Sequence, residues 1–154
     1  MKILILQGPN LNLLGLRDPT QYGKESFSYI ESRFKKWEEV YKVEIISFQT
    51  NSESNCLEYL HKNYNNIDYI ILNPAAWTHS SIALRDALEA INIDFIEVHL
   101  SNLFKREEFR KISYFSDKAL GVISGLGFKG YELALKYLID IEPSRDKQSM
   151  LMNI

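Results

Sequence analysis

Short runs rich in apolar residues alternate with segments of helical periodicity along most of the chain. The apolar runs indicate strands that are covered on both faces, and they lie at residues 3–6, 43–48, 68–72, 95–98 and 119–123. Apolar residues at three- and four-residue steps predict amphipathic helices between and after them, at residues 26–42, 53–64, 79–91 and 127–139. Ser26 is a suitable N-cap for the first of these helices.

Strands that alternate with helices predict right-handed crossovers and a parallel sheet. Five such units in 154 residues match an α/β, flavodoxin-like three-layer sandwich with strand order 2-1-3-4-5. We therefore predict a single domain over residues 1–142. Residues 143–154 have no comparable pattern, and we expect them to form a loosely ordered tail.

The irregular stretch Gly8–Gly23 (GPNLNLLGLRDPTQYG) directly follows the first predicted strand. Its glycines and prolines exclude regular secondary structure throughout, while its four leucines give it an apolar side. We interpret it as a loop that presents Asn10, Asn12, Arg17 and Tyr22 at a functional site. The alternative, a long connecting loop with an apolar underside, stays open on this stretch alone.

Ligands of open parallel sheets bind beyond the carboxyl ends of the strands, near the switch point between strands 1 and 3. Three polar segments leave those ends, at residues 8–23, 73–81 (NPAAWTHSS) and 99–102 (HLSN). They contain two of the three histidines, and the predicted fold brings them together.

Two pairs of side chains in these segments are candidates for acid–base chemistry. Glu97 lies two residues before His99 on a strand, so the two side chains share a face and the carboxylate can fix the histidine tautomer. Arg17 is close to Tyr22, and a cation can stabilise a phenolate that is otherwise scarce at neutral pH. A backbone-capping His99 and a packed Tyr22 are the alternatives, and a capping role is also open for His79 near the predicted helix start.

Composition narrows the function classes further. Hydrophobic residues make up 45% and charged residues 25% of the chain, which is typical of a globular domain. A net charge of −2 gives no basic surface for nucleic acid or membrane. No apolar run is long enough to span a bilayer or act as a signal peptide, and the lone Cys56 fits a reducing compartment. We predict a cytoplasmic protein.

Several familiar motifs are absent or misplaced. Residues 125–130 (GLGFKG) match G-x-G-x-x-G, but they follow the last strand, with no later strand to carry a ribose-binding acid. The histidines lack the spacing of a metal site, and no lysine lies within an apolar strand to form a Schiff base. Gln7 at the end of the first strand disfavours a phospho-acceptor domain. We expect no metal and no cofactor.

Four blocks of sequence resemble type II 3-dehydroquinate dehydratase (type II dehydroquinase) over residues 2–140. The blocks are GPNLNLLGLRDPTQYG, NPAAWTHSSIALRDAL, EVHLSN with REEFR and SYFS, and GVISGLGFKGYELAL. Asp18 and Ser80 stand where the family usually has Glu and Thr, and both changes are conservative. The resemblance implies a hydro-lyase of the shikimate pathway that works through an enolate intermediate.

The resemblance also implies catalytic roles for individual residues. Tyr22 would be the base, and Arg17 would stabilise its phenolate and close over the ligand. Asn12 would hold a water that stabilises the enolate oxygen. His99 would protonate the departing hydroxyl, and Glu97 would hold His99 in place.

Further positions match the family's substrate-binding residues. Asn73 would orient His99 and bind a substrate hydroxyl, and His79 and Arg110 would bind hydroxyls. The backbone of Leu100 and Ser101, with the Ser101 hydroxyl, would hold the substrate carboxylate.

Asp86 matches a position that reaches the active site of a neighbouring subunit. The resemblance therefore implies a homo-oligomer, a dodecamer built from trimers. Two other hypotheses remain open: a flavodoxin-like module that binds a nucleotide or FMN at the same crevice, and an inactive relative retained for assembly.

Overall fold

Five parallel strands form the sheet of the computed structural model, which describes the backbone of residues 1–152 and the side chains of residues 1–143. The strands are β1 (Lys2–Gln7), β2 (Glu44–Gln49), β3 (Tyr69–Asn73), β4 (Phe95–His99) and β5 (Gly121–Ser124). Their order in the sheet is β2-β1-β3-β4-β5. The predicted fold class and strand order are confirmed.

Helices cover both faces of this sheet, which explains the continuous apolar runs. They are α1 (Pro19–Tyr22), α2 (Phe27–Tyr41), α3 (Glu53–Asn63), α4 (Ile82–Ile91) and α5 (Lys129–Met152). Alternate residues of β1 serve opposite faces: Ile3 and Ile5 pack in one core with α2 and α5. Leu4 and Leu6 pack in the other core with α3 and α4.

Short 3₁₀ turns fill much of the chain between these elements. They lie at Leu11–Leu13, Tyr64–Asn66, Ala75–His79, Leu103–Lys105 and Glu108–Arg110. The predicted loop at residues 8–23 therefore contains one 3₁₀ turn and the short helix α1. Leu11 and Leu14 are buried beneath it, while Leu13 and Leu16 are exposed, so only two of its leucines form the expected apolar underside.

The start of α4 differs from the prediction. We expected the helix to begin at His79, but His79 ends the preceding 3₁₀ turn and Ser81 is the N-cap. The Ser81 hydroxyl accepts a hydrogen bond of 3.0 Å from the Leu84 N–H, which satisfies a donor that the first helical turn leaves open. His79 is therefore not the helix cap.

The last helix continues to Met152, well beyond the predicted end at residue 139. The expected loose tail covers residues 143–154, and the side chains beyond Pro143 lie outside the described residues. That expectation stays a prediction. No helix in the described part of the chain is long and apolar enough to cross a membrane.

Candidate active site

A cavity of about 140 Å³ lies beyond the carboxyl ends of β1, β3 and β4, of the size that accommodates one six-membered ring. Its walls come from all three segments that the sequence predicted to converge. Nine of the residues singled out from the sequence line it: Asn10, Arg17, Tyr22, Asn73, His79, His99, Leu100, Ser101 and Arg110.

One wall carries a buried histidine–carboxylate pair at the end of β4. His99 Nε2 lies 2.6 Å from Glu97 Oε1. Because the ionised carboxylate only accepts hydrogen bonds, Nε2 carries the proton and donates a hydrogen bond to Glu97. Nδ1 is then the nitrogen that can exchange a proton with a bound molecule.

Glu97 itself is fully buried and receives two further hydrogen bonds. The hydroxyls of Ser113 and Ser116 donate to its two oxygens, at 2.6 and 2.5 Å. Burial opposes ionisation, but the hydrogen bonds from His99, Ser113 and Ser116 outweigh it and hold the pKa of Glu97 below its ordinary value. The two serines, which sequence reasoning placed in a matching block without a role, therefore keep this carboxylate charged.

Another wall of the cavity carries Tyr22, the last residue of the short helix α1. Asp18 caps this helix by accepting a 2.9 Å hydrogen bond from the Thr20 N–H, and Pro19 suits its first position because it has no N–H to satisfy. Arg17 Nη2 lies 2.7 Å from the Tyr22 hydroxyl. The Arg17 guanidinium also lies 3.9 Å from the centre of the tyrosine ring.

Three guanidinium groups border the cavity, those of Arg17, Arg106 and Arg110. Among the side chains that the structure describes, no Asp or Glu lines it. Arg106 donates to the Ser101 hydroxyl at 3.3 Å and lies 5.2 Å from the centre of the Tyr22 ring. Sequence reasoning did not single out Arg106, although it begins the REEFR block. This positive lining suits an anionic ligand.

His79 enters the cavity from the 3₁₀ turn after β3. Its Nδ1 lies 2.7 Å from the carbonyl oxygen of Ile112, and because a carbonyl only accepts, Nδ1 carries the proton. Partial burial, with weaker contributions from Arg110 and His99, holds the pKa of His79 below its ordinary value. His79 is therefore neutral at pH 7, with Nε2 available as an acceptor.

Three residues expected at the site lie outside the cavity lining, and one of them, Glu97, is joined to it through His99. Asn12 is exposed within the first 3₁₀ turn, whereas Asn10, two residues earlier, lines the cavity. In this structure Asn10 is therefore the asparagine of the loop that faces the cavity, and the water-holding role expected of Asn12 stays a prediction. Asp86 is exposed on α4 and does not line the cavity of its own chain.

Asn73 makes different contacts from those expected. Its Nδ2 donates to the Tyr131 hydroxyl at 2.8 Å, and its Oδ1 accepts from the Ala75 N–H at 3.3 Å. The hydrogen bonds of the described residues do not join it to His99. The backbone nearby is tightly packed: the Gly8 N–H donates to the Asn73 carbonyl at 2.8 Å, and a Cβ at Gly8 would overlap the Pro74 carbonyl.

These features define a class of protein: a flavodoxin-like enzyme whose small, positively lined cavity holds a histidine acid–base group and a tyrosine beside an arginine. Within the described residues, no group of three or more His, Cys, Asp or Glu side chains is arranged to hold a metal ion.

Comparison with known proteins identifies the family. Residues 1–139 match the family described as Dehydroquinase class II, and the chain belongs to this family. It is similar to 3-dehydroquinate dehydratase from Pasteurella multocida, with 56% identity over 138 residues, covering 90% of this chain and 93% of that one. The corresponding protein from Haemophilus influenzae (strain 86-028NP) is 51% identical over 139 residues, with the same coverage.

A solved structure agrees with this assignment. The type II dehydroquinase from Butyrivibrio crossotus matches with a TM-score of 0.86 and 41% identity, covering 90% of this chain and 97% of that one. A 3-dehydroquinate dehydratase-like protein from Bifidobacterium longum matches with a TM-score of 0.66 and 27% identity, covering 92% and 97%.

Proposed function

We propose that this protein is a hydro-lyase that converts 3-dehydroquinate to 3-dehydroshikimate and water, as a step of the shikimate pathway. The observation that carries the proposal is that Arg17, Tyr22 and His99 line one small cavity, with Glu97 bonded to His99 behind it. Elimination of water next to a ketone needs a base and an acid, and these two pairs supply them.

Proton removal is the first step. The Tyr22 phenolate, stabilised by Arg17, takes the proton from the carbon next to the ketone, and the electron pair moves onto the ketone oxygen. Asn10, in place of Asn12, holds the water that donates a hydrogen bond to the resulting enolate. Dipoles already aimed at a developing charge stabilise it with little reorganisation.

Loss of the hydroxyl is the second step. The enolate collapses, the C–O bond to the leaving hydroxyl breaks, and His99 delivers its Nδ1 proton so that water departs. Glu97 stabilises the protonated imidazole before the transfer and keeps Nε2–H in place after it. The base and the acid then exchange protons with solvent, and no group of the protein is changed.

Substrate binding uses the remaining polar groups of the cavity. The backbone and hydroxyl of Ser101 and the backbone of Leu100 hold the substrate carboxylate, and Arg106 adds a positive charge beside them. Asn73, His79 and Arg110 hold the ring hydroxyls. Neutral His79 accepts from a hydroxyl through Nε2.

The test is the ultraviolet absorbance of the conjugated enone product after 3-dehydroquinate is added to the purified protein. We expect product formation that survives a chelator and borohydride, because the proposed mechanism needs neither a metal nor an imine. An unchanged absorbance would contradict the proposed activity. Yellow protein, or nucleotide released on denaturation, would instead indicate a flavodoxin-like binding module.

We also propose a homo-oligomer, a dodecamer built from trimers, in which Asp86 completes a neighbour's site. Asp86 is exposed on α4, and the exposed side chains of Ile82, Phe109 and Ile112 supply apolar surface for contact. Mixing Asp86→Ala chains with Tyr22→Phe chains after dissociation should restore activity, because a chain with an intact Tyr22 then receives Asp86 from its neighbour. No recovery in mixed oligomers would contradict the shared site. We also propose that the protein is cytoplasmic.

A further inference from the structure

A chain of side-chain hydrogen bonds runs from the active-site cavity through the core to helix α2. Asn73 Nδ2 donates to the Tyr131 hydroxyl at 2.8 Å, and Tyr131 donates to Gln7 Oε1 at 3.0 Å. Gln7 Nε2 donates to the Ser47 hydroxyl at 3.2 Å, and Ser47 donates to Glu31 Oε1 at 3.2 Å. Asn73, Tyr131 and Gln7 are each buried, and the acid–base steps proposed above do not use the last four members.

The direction of every hydrogen bond in this chain follows from its far end. The ionised carboxylate of Glu31 can only accept, so the single proton of the Ser47 hydroxyl is committed to it. The Ser47 oxygen then faces a donor, which must be the amide nitrogen of Gln7.

The directions of the remaining hydrogen bonds, from Gln7 to Asn73 at the cavity, follow in the same way. With its nitrogen towards Ser47, Gln7 presents its oxygen to Tyr131, so the Tyr131 proton is committed to Gln7. The Tyr131 oxygen can then only accept, and Asn73 must turn its Nδ2 towards it. The opposite orientation would place two acceptors together in the core, where an unsatisfied polar group is costly.

We propose that Tyr131, Gln7, Ser47 and Glu31 are positioning residues that fix the side-chain amide of Asn73 in one of its two orientations. The consequence for catalysis rests on the proposed contact between Asn73 and a substrate hydroxyl. With one N–H given to Tyr131, Asn73 offers a ligand one remaining N–H and one remaining oxygen lone pair, each at a defined place.

The fixed amide also holds the backbone that carries His79. Asn73 Oδ1 accepts from the Ala75 N–H at 3.3 Å, and Ala75 has φ of 51°, a left-handed conformation that is unusual for a residue with a side chain. A reversed amide would present Nδ2 to that N–H, two donors in contact. The start of the turn Ala75–His79 would then lose its support.

Neutron diffraction from deuterated crystals tests the orientation without reference to activity. We expect deuterium on Asn73 Nδ2 directed at Tyr131 and deuterium on Tyr131 directed at Gln7. A map with Asn73 Oδ1 facing Tyr131 would overturn the proposal, whatever the protein catalyses.

Kinetics test the consequence with one variant on α5, Tyr131→Phe, and a matched pair on α2, Glu31→Gln and Glu38→Gln. Tyr131→Phe should lower kcat/KM for 3-dehydroquinate about tenfold, mainly by raising KM, because a ground-state contact is disturbed. Glu31→Gln, whose amide can donate as well as accept, should lower it about threefold. Glu38→Gln is the control, since the Glu38 carboxylate also bonds to β2, at the Ile45 N–H at 2.8 Å, but lies outside the chain.

The outcomes distinguish the positioning role of this hydrogen-bond chain from the proposed dehydratase activity. Equal effects of Glu31→Gln and Glu38→Gln would overturn the positioning role, because they would reflect the charge of α2 alone. The expected neutron map combined with unchanged kinetics in folded Tyr131→Phe would overturn the role of Asn73 in binding substrate. Absence of dehydratase activity in the wild type would contradict the proposed function and leave the neutron result standing.

Discussion

The two walls of the cavity are built in different ways. His99 and Glu97 lie on a central strand, both are buried, and two serines complete the hydrogen bonding of the carboxylate. Tyr22 and Arg17 are half-buried, and the helix α1 that carries the tyrosine has no buried residue. His99 and Glu97, the acid side of the cavity, are thus buried in the sheet. Tyr22 and Arg17, the base side, lie on a half-buried loop.

This difference has an energetic meaning. Changes on the acid side disturb a buried charge and should affect both stability and catalysis. Changes to Tyr22 or Arg17 remove reactive groups from a half-buried loop and should leave the free energy of unfolding nearly unchanged. A loop that carries the base can also move to admit substrate, while the acid stays in place.

The largest effect is expected from His99→Ala. Loss of the acid should lower kcat roughly 10²- to 10⁴-fold. The substitution also removes a hydrogen bond from the buried Glu97 carboxylate, which should reduce the free energy of unfolding by roughly 1–3 kcal/mol. Steady-state kinetics and urea denaturation measure the two effects. His61→Ala, at an exposed position of α3, is the control and should change neither.

Tyr22→Phe should have a similar effect on kcat, roughly 10²- to 10⁴-fold, without the loss of stability. The free energy of unfolding should stay within about 0.5 kcal/mol of the wild type. If Tyr22→Phe destabilised the protein as much as His99→Ala, the contrast between the two walls would be wrong.

The serines of the acid side sharpen the comparison through pH. The lowered pKa of Glu97 gives stability that is present above its ordinary value of 4.5 and is lost as pH falls through the lower folded value. Ser113→Ala with Ser116→Ala should raise that pKa and reduce stability at pH 7 by about 1 kcal/mol for each hydrogen bond.

Urea denaturation between neutral and acid pH should therefore show a shallower loss of stability in the double variant. Glu97→Gln, which has no carboxylate at this position, should remove this part of the pH dependence. An unaltered pH profile in both variants would show that Glu97 is not the titrating group.

The smallest effect is expected from Asp18→Ala at the N-cap of α1. Loss of the cap should allow the helix to fray and lower kcat/KM by about two- to fivefold, with an unchanged melting temperature. Ser26→Ala removes the equivalent cap of α2 and should do the opposite, lowering the melting temperature while kcat/KM stays the same. Equal behaviour of the two variants would contradict the independence of α1.

The sequence predicted the fold well because the strands are covered on both faces and their apolar runs are continuous. It also located the Glu97–His99 pair, because period-two geometry on a strand is regular. It was less accurate where geometry depends on turns: a 3₁₀ turn holds Asn12 outside the cavity lining, and another separates His79 from α4. Such turns are set by individual caps and contacts rather than by periodicity.

Arg106 and Tyr131 were missed for another reason. Neither belongs to a pattern: Arg106 lies in a charged segment, and Tyr131 is one aromatic residue in an apolar helix. Ser101 lies only five residues before Arg106, but an irregular segment with no periodicity joins them. The partners of Tyr131, Asn73 and Gln7, are distant in sequence, and three-dimensional packing alone brings them together.

The contact of Tyr131 with Asn73 links the active site to the order in which the chain is made. The site residues proposed here end at Arg110, yet the amide of Asn73 is without its partner until α5 has emerged from the ribosome and docked. At roughly 5–20 residues per second, the 21 residues from 110 to 131 take on the order of seconds. During that interval the support of the acid is also incomplete, because Ser113 and Ser116, which bond to Glu97, follow Arg110 in the chain. The catalytic groups and the binding pocket are therefore completed by segments made after them.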